Sequence, residues 1–256
     1  MARPEGMRVR FVGVGEAVDE NYGNTSILLE SAKGDILLDC GFTAGHDFFR
    51  HAPDPDNLDG VWISHFHGDH FMGLPALCLR LRVAGRTRPL TIAGGPGAAD
   101  KVHRALELAY ESLLKRPPFA IEVKEAAPGD VLELGPYTLR TTLGGHPEPC
   151  LAVLAELDGR SAFYSGDGHP TPETVELAAG CDLAIQEAYG LDESTEGHGS
   201  LDMALDFASR ASAARLAVVH MRREDRALRA DEARARLAAA SVPAMLPEPG
   251  DVIDLP

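Results

Sequence analysis

Apolar and polar residues alternate near the start of the chain, which is typical of β-strands with one buried face, and short apolar segments follow up to residue 165. Met7–Val14 follows this alternation, and Thr25–Leu29 and Asp35–Asp39 form a predicted hairpin with Gly34 in its turn. Further strands are predicted at short apolar segments bounded by turn residues: Val61–Ser64, Pro89–Ala93, Phe119–Val123, Val131–Leu134, Tyr137–Thr142, Leu151–Leu157 and Ser161–Tyr164. Strands therefore dominate the prediction for this part of the chain.

Apolar positions three or four residues apart predict two helices between these strands. One is Phe71–Val83, with Leu77 and Leu81 on one face, and the other is Ala98–Leu114, with Val102 on its apolar face. After residue 172 helices alternate with strands, the helices being Glu173–Ala179, Leu201–Ala211 and Ala227–Ala240 and the strands Leu183–Gln186, Leu216–Val219 and Val252–Leu255. This order predicts an α/β protein whose sheets are covered by helices. The sequence has no repeat, low-complexity tract or linker, so residues 1–256 are treated as a single domain.

Composition and charge narrow the classes of partner. Apolar residues make up 45% and charged residues 25% of the chain, as in ordinary globular proteins. Lys and Arg number 24 and Asp and Glu 39, which gives a formal net charge of −15. A field of that sign repels nucleic acid and anionic membrane surfaces, so we expect neither as a partner. An anionic substrate would need a locally positive site, such as a metal cluster.

Cysteine usage and the ends of the chain bear on the cellular compartment. The four cysteines, Cys40, Cys78, Cys150 and Cys181, are far apart and form no CxxC pair, so we expect free thiols in a reducing environment. The first residues lack the apolar segment of a signal peptide, and no apolar run approaches the roughly 18 residues that a membrane helix needs. These features predict a cytoplasmic protein.

The candidate chemistry is concentrated in six consecutive residues, His65 to His70, at the end of a predicted strand. They read His-Phe-His-Gly-Asp-His and include four side chains that can bind a metal. In extended backbone His65 and His67 point to the same side, because side-chain direction repeats every two residues. Gly68 lets the chain turn, so that Asp69 and His70 can face a second point nearby. Since imidazole and carboxylate bind Zn²⁺ and similar ions well, the segment predicts a metal site.

The segment fits the HxHxDH signature of the metallo-β-lactamase superfamily of hydrolases, and its surroundings resemble the ribonuclease Z-like phosphodiesterase branch. Phe11–Glu30, Ile36–Gly41 (ILLDCG) and Ile63–Leu77 (ISHFHGDHFMGLPAL) are close to the branch consensus. Shorter matches follow in the same order, namely FYSGD at Phe163–Asp167, EAY at Glu187–Tyr189, GHGS at Gly197–Ser200 and VVHM at Val218–Met221. The resemblance implies a four-layer αββα sandwich with the site at strand ends along one edge.

The resemblance also implies a ligand set for two divalent metal ions. His65, His67 and His146 would hold one ion, Asp69, His70 and His220 the other, and Asp167 would bridge the two. Zn²⁺ suits these ligands best, while Mn²⁺ and Fe²⁺ stay open because metal availability decides among them.

The implied activity is hydrolysis of a phosphodiester through a metal-bound hydroxide. Two ions about 3.5–4 Å apart can share a hydroxide and neutralise charge on the phosphoryl group. The catalytic candidates are Asp69, His198 and Glu187. His198 would donate a proton to the leaving alkoxide, and Glu187 would favour the charged form of that histidine or support a ligand from behind.

Two departures from the branch bear on the substrate. Members that process transfer RNA carry a long insertion between the third histidine and the bridging aspartate, whereas only two short predicted strands and a turn separate His146 from Asp167. With the negative net charge, this disfavours tRNA 3′ processing and favours a small or cyclic phosphodiester as substrate.

Other functions of the same fold stay open at this point. Tyr189 stands where the branch usually has threonine, so a lactonase or thioesterase with Tyr189 as an oxyanion partner is the alternative, and a metal-binding module without turnover is the least favoured. Such enzymes often form dimers, but the sequence does not decide whether this chain is a homodimer.

Two groups of arginines accompany the motifs, Arg80, Arg82, Arg86 and Arg88, and Arg222, Arg223, Arg226 and Arg229. The simplest interpretation is a solvated helical surface. A more specific hypothesis is that Arg222 or Arg223 contacts the non-reacting phosphate oxygens. For His169, which follows Asp167, we make no prediction of a role.

Overall fold

A computed structural model describes residues 4–52, 54–117, 119–193 and 195–255. Within these residues the strands are β1 Met7–Gly13, β2 Ser26–Glu30, β3 Asp35–Leu38, β4 Leu58–Ile63, β5 Leu90–Gly94, β6 Ile121–Glu125, β7 Val131–Leu134, β8 Tyr137–Leu143, β9 Leu151–Leu157, β10 Arg160–Tyr164, β11 Leu183–Glu187, β12 Leu216–Val219, β13 Ala244–Met245 and β14 Val252–Leu255. The helices are α1 Ala44–His51, α2 Gly68–Phe71, α3 Leu74–Val83, α4 Ala98–Tyr110, α5 Ser112–Lys115, α6 Pro172–Leu177, α7 Leu201–Arg210 and α8 Arg223–Ala238, with a short 3₁₀ turn at Pro55–Asn57.

The strands form two mixed sheets. The first has the order β14-β1-β2-β3-β4-β5-β6 and the second the order β13-β12-β11-β10-β9-β8-β7. In the first sheet β14 to β3 are antiparallel and β3 to β6 are parallel, while in the second sheet β13 to β10 are parallel and β10 to β7 antiparallel. Each sheet therefore has a parallel half, whose strand ends point to the same edge.

In the central strands alternate side chains face opposite layers, and both layers are apolar. Ile27 and Leu29 of β2 belong to the core between the sheets, which they share with Val153 of β9. Leu28, between them in sequence, packs instead in a cluster with Phe48 of α1. On the other sheet, a cluster joins strand residues to α7 and α8. Strands buried on both faces require helices on the outside, and the result is the predicted four-layer αββα sandwich.

The structure differs from the predicted elements in several places. The predicted helix Phe71–Val83 is two helices, since α2 begins inside the His-rich motif and α3 follows after a break at Gly73. The predicted helix Ala98–Leu114 likewise divides into α4 and α5, and α8 begins four residues before the predicted start and is kinked at Arg229. The two-residue strand β13 was not predicted, because two residues are too few to show a periodicity.

The arginine groups are not uniformly solvated, so that interpretation is wrong for two of them. Arg86 is 3% exposed and its guanidinium donates to the carbonyl oxygens of Asp56, Leu58, Arg88 and Pro89. Arg226 is equally buried and lies over the ring of Tyr22, 4.4 Å from its centroid. Each of these side chains contacts a segment that is distant in sequence, so its burial could not be predicted from the local pattern of charges.

Two expectations about the whole chain can be set against the structure. All four cysteines are buried and free, as expected. Among the described residues, no helix has the length and apolar character needed to cross a bilayer.

Candidate functional site

The candidate residues lie just beyond strand ends from both sheets. The His65–His70 segment follows β4 in the first sheet, while His146 follows β8, Asp167 follows β10 and His220 follows β12 in the second. The carboxyl ends of neighbouring parallel strands meet at one edge of a sheet, which is where α/β proteins usually bind ligands. The packing of the two sheets then brings these loops together at one edge of the sandwich.

Three histidines of the first donor set converge through their ring nitrogens. His65 Nε2 lies 3.1 Å from His67 Nδ1, and His146 Nε2 lies 3.4 Å from the same atom. His65 Nε2 is 3.8 Å from Asp167 Oδ2, so these four side chains form one group of potential ligands. His146 is oriented from behind by a hydrogen bond from its Nδ1 to the carbonyl oxygen of Gly197, at 2.9 Å.

The second donor set is buried and shares Asp167 with the first. His70 Nε2 lies 3.1 Å from Asp69 Oδ2 and 3.2 Å from Asp167 Oδ1. His220 Nε2 lies 3.3 Å from Asp69 Oδ2 and 3.4 Å from Asp167 Oδ1. The structure therefore brings together all seven residues that the resemblance assigns to metal binding, in two groups with one carboxylate in common.

The donor atoms have the spacing that a divalent metal requires. Tetrahedral Zn²⁺ with bonds of about 2.0–2.1 Å places its ligand atoms about 3.3 Å apart. His70 Nε2 and Asp167 Oδ1 are buried and have no hydrogen-bond partner among the described residues, which is costly unless a further group satisfies them. The His/Asp clusters are thus consistent with a dinuclear metal site.

Charge in the site agrees with this interpretation. Burial lowers the pKa of His65 to about 2, so its ring is neutral and can offer a lone pair. Burial opposes ionisation of Asp69, but the hydrogen bond from His220 and the nearby charge of His70 outweigh it and lower the pKa of the carboxyl. Burial likewise works against a charged His220, yet the carboxylates of Asp167 and Asp69 raise the pKa of this ring to about 9. The two carboxylates therefore attract positive charge to the point between the donor sets.

A carboxylate that sequence reasoning left without a role orients the second set. Asp39 is fully buried at the end of β3, and its Oδ2 accepts hydrogen bonds from His70 Nδ1, Ser64 Oγ and Tyr164 Oη, each at 2.7 Å. The bond from His70 Nδ1 directs Nε2 of the same ring towards Asp69 and Asp167. The sequence offered one signal for this role, namely an aspartate directly after the apolar residues of a strand. A carboxylate buried there needs several hydrogen-bond donors.

His198 and Glu187 form a hydrogen-bonded pair beside both donor sets. His198 Nδ1 lies 2.8 Å from Glu187 Oε1, and Glu187 Oε2 accepts from the backbone N–H groups of Gly168 and Gly199. The His198 ring is 5.1 Å from the ring of His146 and 6.0 Å from that of His220. Burial lowers the pKa of His198, but the hydrogen bond and the charge of Glu187 more than offset it, so the pKa is raised.

Several other residues around the site have defined partners. The Tyr189 ring lies 4.9 Å from the His198 ring. Arg222 pairs with Asp225, and Arg223 pairs with Glu224 and Glu20 at the surface, so each is already bound to a carboxylate. His169 is exposed, and its backbone forms a bridge with Gly145.

Comparison with known proteins agrees with the fold. Residues 35–221 match the family model described as the beta-lactamase superfamily domain. A ribonuclease Z of Halorubrum lacusprofundi is 28% identical, over 98% of this chain and 97% of the relative. Among solved structures, the metallo-β-lactamase fold protein YhfI of Bacillus subtilis is similar with a TM-score of 0.83 and 22% identity, covering 97% of this chain and 99% of that one. The short form of human tRNase Z is similar with a TM-score of 0.80 and 23% identity, covering 97% and 99%.

The family model covers well over half of the chain and includes the HxHxDH segment, FYSGD and VVHM. The curated relative adds a match along nearly the whole length, at low identity. The chain therefore belongs to the metallo-β-lactamase superfamily, and its distant homologues lie in the ribonuclease Z-like branch.

Proposed function

We propose that this protein is a dinuclear metal-dependent phosphodiesterase that acts on a small or cyclic phosphodiester. The observation that carries the proposal is the position of the His198–Glu187 pair next to two donor sets that share Asp167. His198 is within ring contact of one histidine from each set. A proton donor beside such a pair of sets suits the cleavage of an ester whose leaving group is a poor one.

The residues present fit two divalent ions. His65, His67 and His146 would hold one, Asp69, His70 and His220 the other, and Asp167 would contribute to both. When bound, such ions supply a water of lowered pKa and neutralise charge on the phosphoryl oxygens.

The chain's own contribution to the reaction is protonation of the leaving group. Because His198 Nδ1 is bonded to Glu187, Nε2 is the nitrogen that can deliver a proton. A water molecule gives up one proton to solvent and its oxygen forms a bond to phosphorus. The bond from phosphorus to the alcohol oxygen breaks, that oxygen takes the proton from Nε2, and His198 is then reprotonated from solvent. Since Glu187 raises the pKa of His198, more of the rings carry this proton at neutral pH than for an exposed histidine.

The proposed size of the substrate depends on the segment between His146 and Asp167. These residues are all described, and β9, a turn at Asp158 and Gly159, and β10 occupy most of the segment without an inserted arm. The net charge of −15 further disfavours a long polyanion. A curated relative is nevertheless named ribonuclease Z, so a precursor tRNA belongs in the test.

The test measures hydrolysis after loading with Zn²⁺, Mn²⁺ or Fe²⁺. Substrates are bis-p-nitrophenyl phosphate, alkyl and cyclic diesters, simple lactones and thioesters, and a precursor tRNA. We expect diesters to be cleaved, and we expect His198→Ala to reduce kcat/KM for an alkyl diester about 100- to 10,000-fold. The loss should be smaller for the p-nitrophenyl diester, because p-nitrophenolate leaves without needing a proton.

His103→Ala serves as the matched control, since His103 is an exposed histidine on α4. Metal content should be the same in both variants and in the wild type. Activity on lactones or thioesters alone would contradict the proposal, as would an unchanged rate in His198→Ala. A higher kcat/KM on precursor tRNA than on every small diester would overturn the proposed size of the substrate.

A further inference from the structure

Tyr189 is a partly exposed aromatic side chain in direct contact with the proposed proton donor. It lies two residues after the end of β11, where Glu187 is the last residue of the strand. Its ring centroid is 4.9 Å from that of His198 with an interplanar angle of 31°, and 6.3 Å from that of His220. Tyr189 therefore lies on the side of the site where His198 is found.

The position of the proton donor defines where the leaving group lies. A general acid must be within hydrogen-bond reach of the oxygen that it protonates. If His198 protonates the leaving alcohol, as the proposed function requires, the remainder of that alcohol extends from a point next to His198. Tyr189, which contacts the same ring, is then beside the leaving alcohol.

The groups around Tyr189 carry charges of both signs. Burial raises the pKa of its hydroxyl, and the carboxylates of Glu16, Glu224 and Glu187 act in the same direction. Arg222 acts against them, but its guanidinium is paired with Asp225 at 3.0 Å. Glu16 is itself only 5% exposed, so solvent screens its charge less than that of a surface residue. Protonated His198 lies against the same ring, so charge does not by itself select the leaving alcohol.

We propose that Tyr189 forms one wall of a leaving-group subsite that selects an alcohol with a planar ring, such as an aryl alcohol or a nucleoside. The inference rests on the proposed function, because it takes His198 as the donor to the leaving oxygen. Aromatic rings in contact contribute a modest preference beyond the area they bury, which corresponds to a factor of about 3 to 10 in kcat/KM. The ring of Tyr189 thus contributes to the choice among leaving alcohols.

The experiment compares leaving alcohols that differ in aromaticity but little in size or acidity. The substrates are methyl benzyl phosphate and methyl cyclohexylmethyl phosphate, and the measured quantity is kcat/KM for release of the larger alcohol by the metal-loaded protein. We expect the benzyl ester to be preferred about 3- to 10-fold.

Variants at Tyr189 then assign the preference to its ring. In Tyr189→Leu the ratio of benzyl to cyclohexylmethyl release should fall to about 1, whereas Tyr189→Phe should keep the wild-type ratio. A role in folding alone would lower both rates together and leave the ratio unchanged. Metal content and thermal unfolding are measured for each variant.

The outcomes separate the inference from the function beneath it. A benzyl to cyclohexylmethyl ratio near 1 in the wild type would overturn the subsite, and so would a wild-type ratio retained in Tyr189→Leu. The first of these results does not depend on whether any variant folds. If the metal-loaded protein cleaved lactones but no diester of any kind, the proposed function would fail and the subsite with it.

Discussion

Single carboxylates determine what their histidine partners can do in this site. Asp39 directs one ring nitrogen of His70 by accepting a hydrogen bond from the other, and Glu187 does the same for His198. The two carboxylates are fully buried, and each has further donors, so neither can turn away from its histidine without leaving buried polar atoms unpaired. Orientation at the residue scale therefore comes from groups that would not touch the substrate.

The Glu187 contact predicts a change in the pH profile. Glu187→Gln keeps the shape but removes the charge, so the lowering effect of burial on the pKa of His198 is no longer offset. His198 acts in its protonated form, and activity is lost as the pH rises through its pKa. We therefore expect the alkaline limb of kcat/KM for an alkyl diester to move to lower pH.

The control for this change is Glu196→Gln, which alters an exposed glutamate in the loop that contains His198. Its pH profile should match that of the wild type. An alkaline limb that stays in place in Glu187→Gln would show that Glu187 does not set the protonation of the group responsible.

At the scale of elements, the short helix α2 is held against the end of β3 by backbone contacts. Cys40 N donates to the carbonyl oxygen of His70 at 2.7 Å, and Gly73 N donates to that of Cys40 at 2.9 Å. A Cβ atom on Gly73 would lie 1.9 Å from the carbonyl oxygen of Gly41. The break between α2 and α3 thus allows the segment with Asp69 and His70 to approach the first sheet.

This close approach predicts the effect of Gly73→Ala. The added methyl group meets backbone, which cannot move aside as a flexible side chain can, and overpacking of this kind costs about 1–3 kcal/mol. For a chain of this size, we expect a fall in Tm of about 3–10 °C together with weaker metal binding. Both are measured on purified protein, by thermal unfolding and by metal titration.

Gly95→Ala is the comparison, because a Cβ there would be 3.6 Å from the nearest atom, an ordinary contact. It should leave Tm within about 2 °C of the wild type, since it removes no favourable contact. Equal Tm values for the two variants would show that the approach of α2 to Gly41 is not tight.

At the scale of the whole molecule, the site joins the two sheets. The first sheet contributes Asp39 and the His65–His70 segment, and the second contributes His146, Asp167 and His220. Asp167 lies 3.8 Å from His65 and 3.2 Å from His70, across the boundary between the sheets. Ions held by both donor sets would therefore link the two halves of the sandwich.

This link predicts that a chelator lowers thermal stability. A ligand present at about 1,000 times its Kd stabilises the folded state by about 4 kcal/mol, which corresponds to roughly 10 °C in Tm here. We expect EDTA to lower the Tm of metal-loaded protein by about that amount. In Asp167→Asn, which weakens both donor sets, the effect of EDTA should be much smaller. Identical Tm values for the wild type with and without EDTA, after verified metal loading, would contradict a metal centre between the sheets.

Local patterns in the sequence were enough to predict most strands, an α/β protein with helices covering its sheets, and a possible metal site at His65–His70. Strand alternation and helical spacing depend on neighbouring residues, so they can be recognised without knowing the fold. The HxHxDH segment places four side chains that can bind a metal within six residues, which is also local information. His146, Asp167, His198 and His220 were predicted through a family resemblance, because no spacing within the sequence links them.

Only the tertiary structure decided which partners those residues have. The role of Asp39, the burial of Arg86 and Arg226, the break at Gly73 and the contact of Tyr189 with His198 all depend on segments distant in sequence. The cost of burying a charge or the clash of a Cβ atom depends on what the rest of the chain places there. Chemistry-bearing residues could therefore be named from the sequence, while their orientation, charge and neighbours follow from the packing of the two sheets.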